Sequence, residues 1–256
     1  MDKALVLSLC FLCFTLNCFA YDIEHYPGKP DLSSQGILNL VFCSLNYKDA
    51  ADFAKDREIL IQRLKKTKPF DEYNNLKFWY INLSRKEESK VFKPASVFPF
   101  LTVRKDFLAD ILAKLKGVYK LIIIDASAGV FAAELSSPDR VSLIILSSAR
   151  YRGKDSFARS FLHELGHSLG LRDEGLNSEA ALCLPGPPNC APTKKEAEEW
   201  WGDLAGKEPR VNYISGCSGN KNYIRPTIAS LMNNPEKAND FGPVNERYLR
   251  KELGRL

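Results

Sequence analysis

The sequence predicts an α/β (α+β) domain: a twisted mixed sheet with covering helices and an active-site helix, then a smaller irregular C-terminal subdomain. Three observations carry that expectation. Apolar β-branched runs alternate with segments of helical spacing as far as residue 172. From residue 173 onward the text turns to Pro- and Gly-rich loops with two short helices. A length of 256 residues, 45% hydrophobic and 26% charged, fits one fair-sized core rather than a disordered or repetitive chain.

The first twenty residues are a separate matter. Met1 to Lys3 is a short polar start, Ala4 to Leu16 is almost unbroken apolar, and Cys18-Phe19-Ala20 puts small residues at the positions a signal peptidase reads. Cleavage is expected after Ala20, which leaves a secreted mature domain of residues 21–256. About 13 apolar residues reach only about 20 Å as a helix, short of a roughly 30 Å hydrocarbon core, so no membrane anchor is expected after cleavage.

Along the mature chain, Gly36 to Ser44 reads as a strand and Tyr47 to Lys66 as a helix, with Phe53, Ile59, Leu60 and Leu64 at helical spacing. Leu76 to Leu83 is a second strand, and Arg104 to Lys116 an amphipathic helix. Lys120 to Ala126, Ile-rich and fully buried in expectation, and Val141 to Ser147 complete the sheet. The N-terminal subdomain thus spans about 37–172 and the C-terminal one about 173–256. In the latter, Thr193 and Glu196 form a capping box for a helix running to about Leu204, with Trp200 and Trp201 as packing residues. Pro243 suits the first turn of a helix ending near Leu253. A cleft between the two parts is the natural place for a site.

Charge excludes some functions. Lys plus Arg is 36 against 31 for Asp plus Glu, a net charge of +5 with no basic run, so no nucleic-acid partner is expected. Cys10, Cys13 and Cys18 leave with the signal segment, and Cys43, Cys183, Cys190 and Cys217 remain. Export allows disulfides among them. Cys43 lies in an apolar strand and reads as a buried thiol, while the other three lie in loop-rich sequence.

At the boundary stands the segment that carries chemistry, His163-Glu164-Leu165-Gly166-His167. Two histidines four residues apart on a helix share a face, so both imidazoles can reach one metal, with Glu164 beside it as general base. Gly170 lets the chain leave the helix through a left-handed conformation and turn back, and Asp173 follows at the right distance to be a third ligand. Glu174 is the alternative oxygen donor, and His25, the only other histidine, is far off in sequence. Two nitrogens and one oxygen suit one Zn²⁺ ion with its fourth position open for water, the arrangement of a catalytic site.

The run His163-Glu-x-x-His167-x-x-Gly170-x-x-Asp173 resembles the extended zinc motif of the metzincin metallopeptidases, in the form with Asp as the third ligand. Ser230-Leu231-Met232 resembles that clan's methionine turn, and Met232 is the only methionine besides Met1. Gly216 to Thr227, then Ser230 to Met232, then Phe241 to Asn245 are most similar to the IgA-specific metalloendopeptidase family within the clan. The resemblance covers roughly residues 120–250. It implies a metzincin-like fold, metal ligands His163, His167 and Asp173, catalytic Glu164, and a disulfide between Cys190 and Cys217. Asn234 stands where some metzincins have a tyrosine, so no tyrosine ligand is implied. The expected function is that of a secreted zinc endopeptidase in which Glu164 activates a zinc-bound water and the partner is a protein or peptide substrate. The substrate would pair with strand Val141 to Ser147 as a sheet edge. The alternative is an extracellular zinc-binding module without peptidase activity.

Overall fold

A computed structural model of the chain describes residues 21–26, 37–94, 101–115, 118–127, 133–136, 142–149, 151, 153–175 and 185–256. The expected signal peptide, residues 1–20, and Cys183 lie outside these. The elements in chain order are β1 (Glu24–Tyr26), β2 (Leu38–Leu45), α1 (Ala50–Leu64), β3 (Leu76–Ile81), α2 (Arg85–Val91), β4 (Phe92–Pro94), β5 (Leu101–Val103) and α3 (Lys105–Lys114). There follow β6 (Val118–Asp125), β7 (Ala133–Ser136), β8 (Ser142–Ser147), α4 (Lys154–Ser168), α5 (Lys194–Trp201), β9 (Ile214–Cys217), β10 (Asn220–Arg225) and α6 (Pro243–Leu253).

Six strands form one mixed sheet in the order β1-β3-β2-β6-β8-β7. The inner four run parallel, and β1 and β7 close the two edges antiparallel. Period-two alternation turns the residues of the inner strands to two covered faces, and both are largely apolar. Leu38, Leu40 and Phe42 of β2, Ile122 and Ile124 of β6, and Ile144 and Leu146 of β8 point to one face. There they meet Phe53, Leu60, Ile61 and Leu64 of α1 and Phe157, Phe161, Leu162 and Leu165 of α4. The opposite residues, Val41 and Cys43, Leu121 and Ile123, Leu143 and Ile145, pack with Val91 of α2 and Phe107 and Ile111 of α3. Helices thus cover both faces, as a parallel sheet requires.

The strands and helices predicted from periodicity are present with boundaries shifted by a few residues. Several features differ, and β1 and α2 have no counterpart among the predicted elements. The strand at 142–147 is interior, between β6 and β7, and is not the sheet edge that the sequence suggested. The edge is β7, four residues long, whose register Ala133↔Ile145 to Ser136↔Ser142 caps β8. The hairpins β4–β5 and β9–β10 were not expected, being strands of three to six residues without a long apolar run. Helix α5 ends at Trp201, short of Leu204, and turns continue the chain from there. Trp201 is buried and donates from Nε1 to Asn212 O at 3.1 Å, whereas Trp200 is half-buried, so packing accounts for both.

Candidate metal centre

Helix α4 owes its place to the stripe Phe157, Ala158, Phe161, Leu162 and Leu165, all buried against the sheet and α1. His163 and His167 stand on the flank of that stripe, with side chains 14% and 19% exposed. The helix ends in a Schellman motif. Gly170 N–H donates to His167 O at 2.9 Å and Leu171 N–H to Gly166 O at 3.0 Å, with Gly170 at φ +99°. That geometry requires glycine, since a side chain at this φ is strained and a Cβ here would lie 2.6 Å from the Tyr248 hydroxyl. The reversal brings Leu171 O back onto His167 Nδ1, at 3.0 Å.

The ring nitrogens are therefore sorted. His163 Nδ1 faces Leu231 O at 2.7 Å and His167 Nδ1 faces Leu171 O; a carbonyl only accepts, so each neutral ring carries its proton on Nδ1. Both Nε2 lone pairs then point inward, 3.1 Å apart. Asp173 Oδ1 completes the triangle at 3.3 Å from His163 Nε2 and 3.5 Å from His167 Nε2. A tetrahedral zinc with bonds of about 2.0–2.1 Å separates its donors by about 3.4 Å, so these edges fit the ion without rearrangement. Among the described residues, His163, His167 and Asp173 form the one cluster of His, Cys, Asp and Glu able to hold a metal.

The field at the centre favours a cation. Burial pulls the His163 imidazole down, but the carboxylates of Asp173 and Glu164 and the Leu231 carbonyl outweigh it and raise the ring to about 9. Burial pushes Asp173 up, yet the two imidazoles hold it well below the usual carboxylate range. Glu164 is itself buried, one residue along the helix from His163.

Asp173 and Glu174 have different surroundings. Glu174 is fully buried and its carboxylate takes hydrogen bonds from Asn189 Nδ2 (3.0 Å), Asn245 Nδ2 (2.8 Å), Ser230 Oγ (2.7 Å) and Thr227 Oγ1 (3.4 Å). Its own N–H donates to Met232 O at 2.8 Å. Its carboxylate is thereby tied to the turn at Ser230 to Asn234, whereas Asp173 is the acid whose Oδ1 lies beside both imidazole Nε2 atoms. That turn, Ser230 to Asn234, holds His163 through Leu231 O and seats the fully buried Met232 under α4. Contact is close: a Cβ on Gly166 would lie 2.7 Å from Met232 Sδ.

Cys190 and Cys217 form the disulfide that the resemblance implied, and Cys43 is a buried free thiol. His25 lies on β1, against Trp79 at a ring separation of 4.8 Å, across the sheet from α4. A cavity of about 650 Å³ is lined by Lys66 to Lys68 on one side and by α6 on the other, and it holds none of the three ligands. Sequence reasoning did not find Glu174 as an anchor, nor its partner Asn189. Asn245 lay in a stretch singled out by resemblance alone, with no signal of its role.

No family model matches the chain, and no curated protein matches it. One similar solved structure is that of archaemetzincin from Methanopyrus kandleri, at 14% sequence identity and a TM-score of 0.39, covering 86% of this chain and 97% of that one. A likeness of that size carries no argument about function, which rests on the centre described above.

Proposed function

We propose that this chain is a secreted, zinc-dependent endopeptidase of the metzincin type, its motifs most similar to those of the IgA-specific metalloendopeptidase family. The observation that carries the reading is the triangle of Nε2, Nε2 and Oδ1 atoms, with edges of 3.1, 3.3 and 3.5 Å and both Nδ1 protons held by carbonyls. His163, His167 and Asp173 would hold one zinc ion, which when bound supplies Lewis acidity and lowers the pKa of water toward neutrality. Leu231 O and Leu171 O fix the imidazole orientations and raise their basicity. Glu164 takes the proton of the attacking water and hands it to the leaving amine.

An extended substrate would pair with the outer side of β7, which is the edge strand among the described residues and touches α4, through backbone hydrogen bonds. Export after Ala20 accords with the Cys190–Cys217 disulfide, since such bonds persist in oxidising compartments.

The test is Glu164→Gln. Its zinc content should equal the parent's while hydrolysis of a mixed peptide library falls by about 10²- to 10⁴-fold, the range for removal of a general base. A variant that cleaves near the parent rate would remove Glu164 from the mechanism. A parent that binds zinc and cleaves nothing would instead favour the extracellular zinc-binding module.

A further inference from the structure

We infer that Asn189 is the residue that sets Asp173 at the metal. It is a positioning residue acting through the Arg172 backbone before the third ligand and the Glu174 carboxylate after it, and the inference rests on the zinc reading above. Asn189 is fully buried, and its one amide makes three bonds to that segment. Oδ1 accepts from Arg172 N at 2.9 Å, while Nδ2 donates to Arg172 O at 2.8 Å and to Glu174 Oε1 at 3.0 Å. The side chain thus pairs with the N–H and C=O of Arg172 as a neighbouring strand would, and bridges over Asp173 to the next residue.

Asp173 itself is fixed from the other side. Its carbonyl accepts from Ser218 N at 3.1 Å and from Ser218 Oγ at 3.0 Å. The two clamps are joined, because Cys190 follows Asn189 and is bonded to Cys217, which precedes Ser218. An aspartate has only two side-chain torsions, so its carboxylate goes where its backbone is put. Metal ligands tolerate misplacement of only about half an ångström. The imidazoles are placed by a helix; Asp173 has no such element, and Asn189 takes that part.

Asn245 supplies the control. Its Nδ2 donates to the same Glu174 Oε1, at 2.8 Å, and to Phe241 O, at 2.8 Å, but not to the 172–173 backbone. If the buried amides serve stability alone, Asn189→Ala and Asn245→Ala should behave alike. The experiment measures zinc affinity by competition with a chromophoric chelator and records the visible spectrum of the cobalt(II)-substituted protein. The full mature chain is used as parent and as Asn189→Ala, Asn189→Ser, Asn245→Ala and Asp173→Ala.

Loss of an outer-shell partner typically weakens metal binding by about 10- to 100-fold, and that drop is expected for Asn189→Ala. Its cobalt spectrum should shift toward that of Asp173→Ala. Asn189→Ser puts one neutral hydroxyl in place of the amide and can keep only part of its three bonds, so it should fall in between; it carries the test if the alanine variant does not fold. Asn245→Ala should melt at a lower temperature with the parent's affinity and spectrum. Parent-like affinity and spectrum in the Asn189 variants, or an equal loss in Asn245→Ala, would overturn the inference alone. A parent that binds no metal would overturn the zinc reading and this inference with it.

Discussion

Replacing Gly170 by alanine tests the local geometry that returns the chain to the metal. Two costs follow from the structure. At φ +99° an L-residue is strained, and the added Cβ would lie 2.6 Å from the Tyr248 hydroxyl oxygen, with the next ring atoms at ordinary contact, 3.5 and 3.6 Å. Left-handed backbone costs about 1–2 kcal/mol and a forced overlap about 1–3, while the stiffer unfolded chain returns about 0.4–1, leaving a net loss of about 2–4 kcal/mol. For a domain of this size that lowers Tm by about 5–15 °C. The assay is urea unfolding of four proteins: parent, Gly170→Ala, Tyr248→Phe and the double variant. Removing the hydroxyl should relieve the overlap and leave the backbone strain less the same unfolded-chain return, so Gly170→Ala should cost only about 0–1.5 kcal/mol in the Tyr248→Phe background. A cost under about 0.5 kcal/mol in the parent background would refute the strain argument. An unchanged cost in the double variant would refute the contact with Tyr248.

Two further outcomes are expected. The Cys190–Cys217 bridge spans 27 residues of sequence, and the chain-entropy relation gives about 3.5 kcal/mol for a loop of that length, so Cys190→Ala with Cys217→Ala should lower unfolding stability by up to that amount; an unchanged urea midpoint would count against a formed bridge. In the metal-free protein, His163 is raised from 6.5 to about 9, so it contributes stability below pH 6.5 that is lost as pH rises through 9. Asp173, held below 3.8, contributes stability above that pH that is lost on acidification. These two groups place the metal-free optimum between 3.8 and 6.5, read as urea midpoints across pH in the presence of chelator; a midpoint that climbs from 6.5 to 9 would contradict the assignment.

Much of this was legible in the sequence because it repeats with a period. The inner strands announce themselves through runs such as Leu121 to Ile124, and α4 through its Phe157, Phe161 and Leu165 stripe. His163, Glu164 and His167 are fixed by helix geometry alone, and Gly170 by the need to leave the helix. What stayed hidden was set by contacts between distant segments. The edge strand β7 is four residues long, too short to show alternation, so the interior strand β8 was taken for the edge. Asp173 and Glu174 are adjacent acids that no spacing rule separates decisively. Their different fates depend on Asn189, Thr227, Ser230 and Asn245, drawn together around Glu174 from 15 to 71 residues away.

The central claim is that His163, His167 and Asp173 hold a zinc ion that serves peptide hydrolysis. Its most direct test is a paired measurement on the purified mature chain: zinc content, and cleavage of a mixed peptide library with and without a chelator. One zinc per chain with cleavage that the chelator abolishes is the predicted result, and no bound zinc even after reconstitution would contradict it.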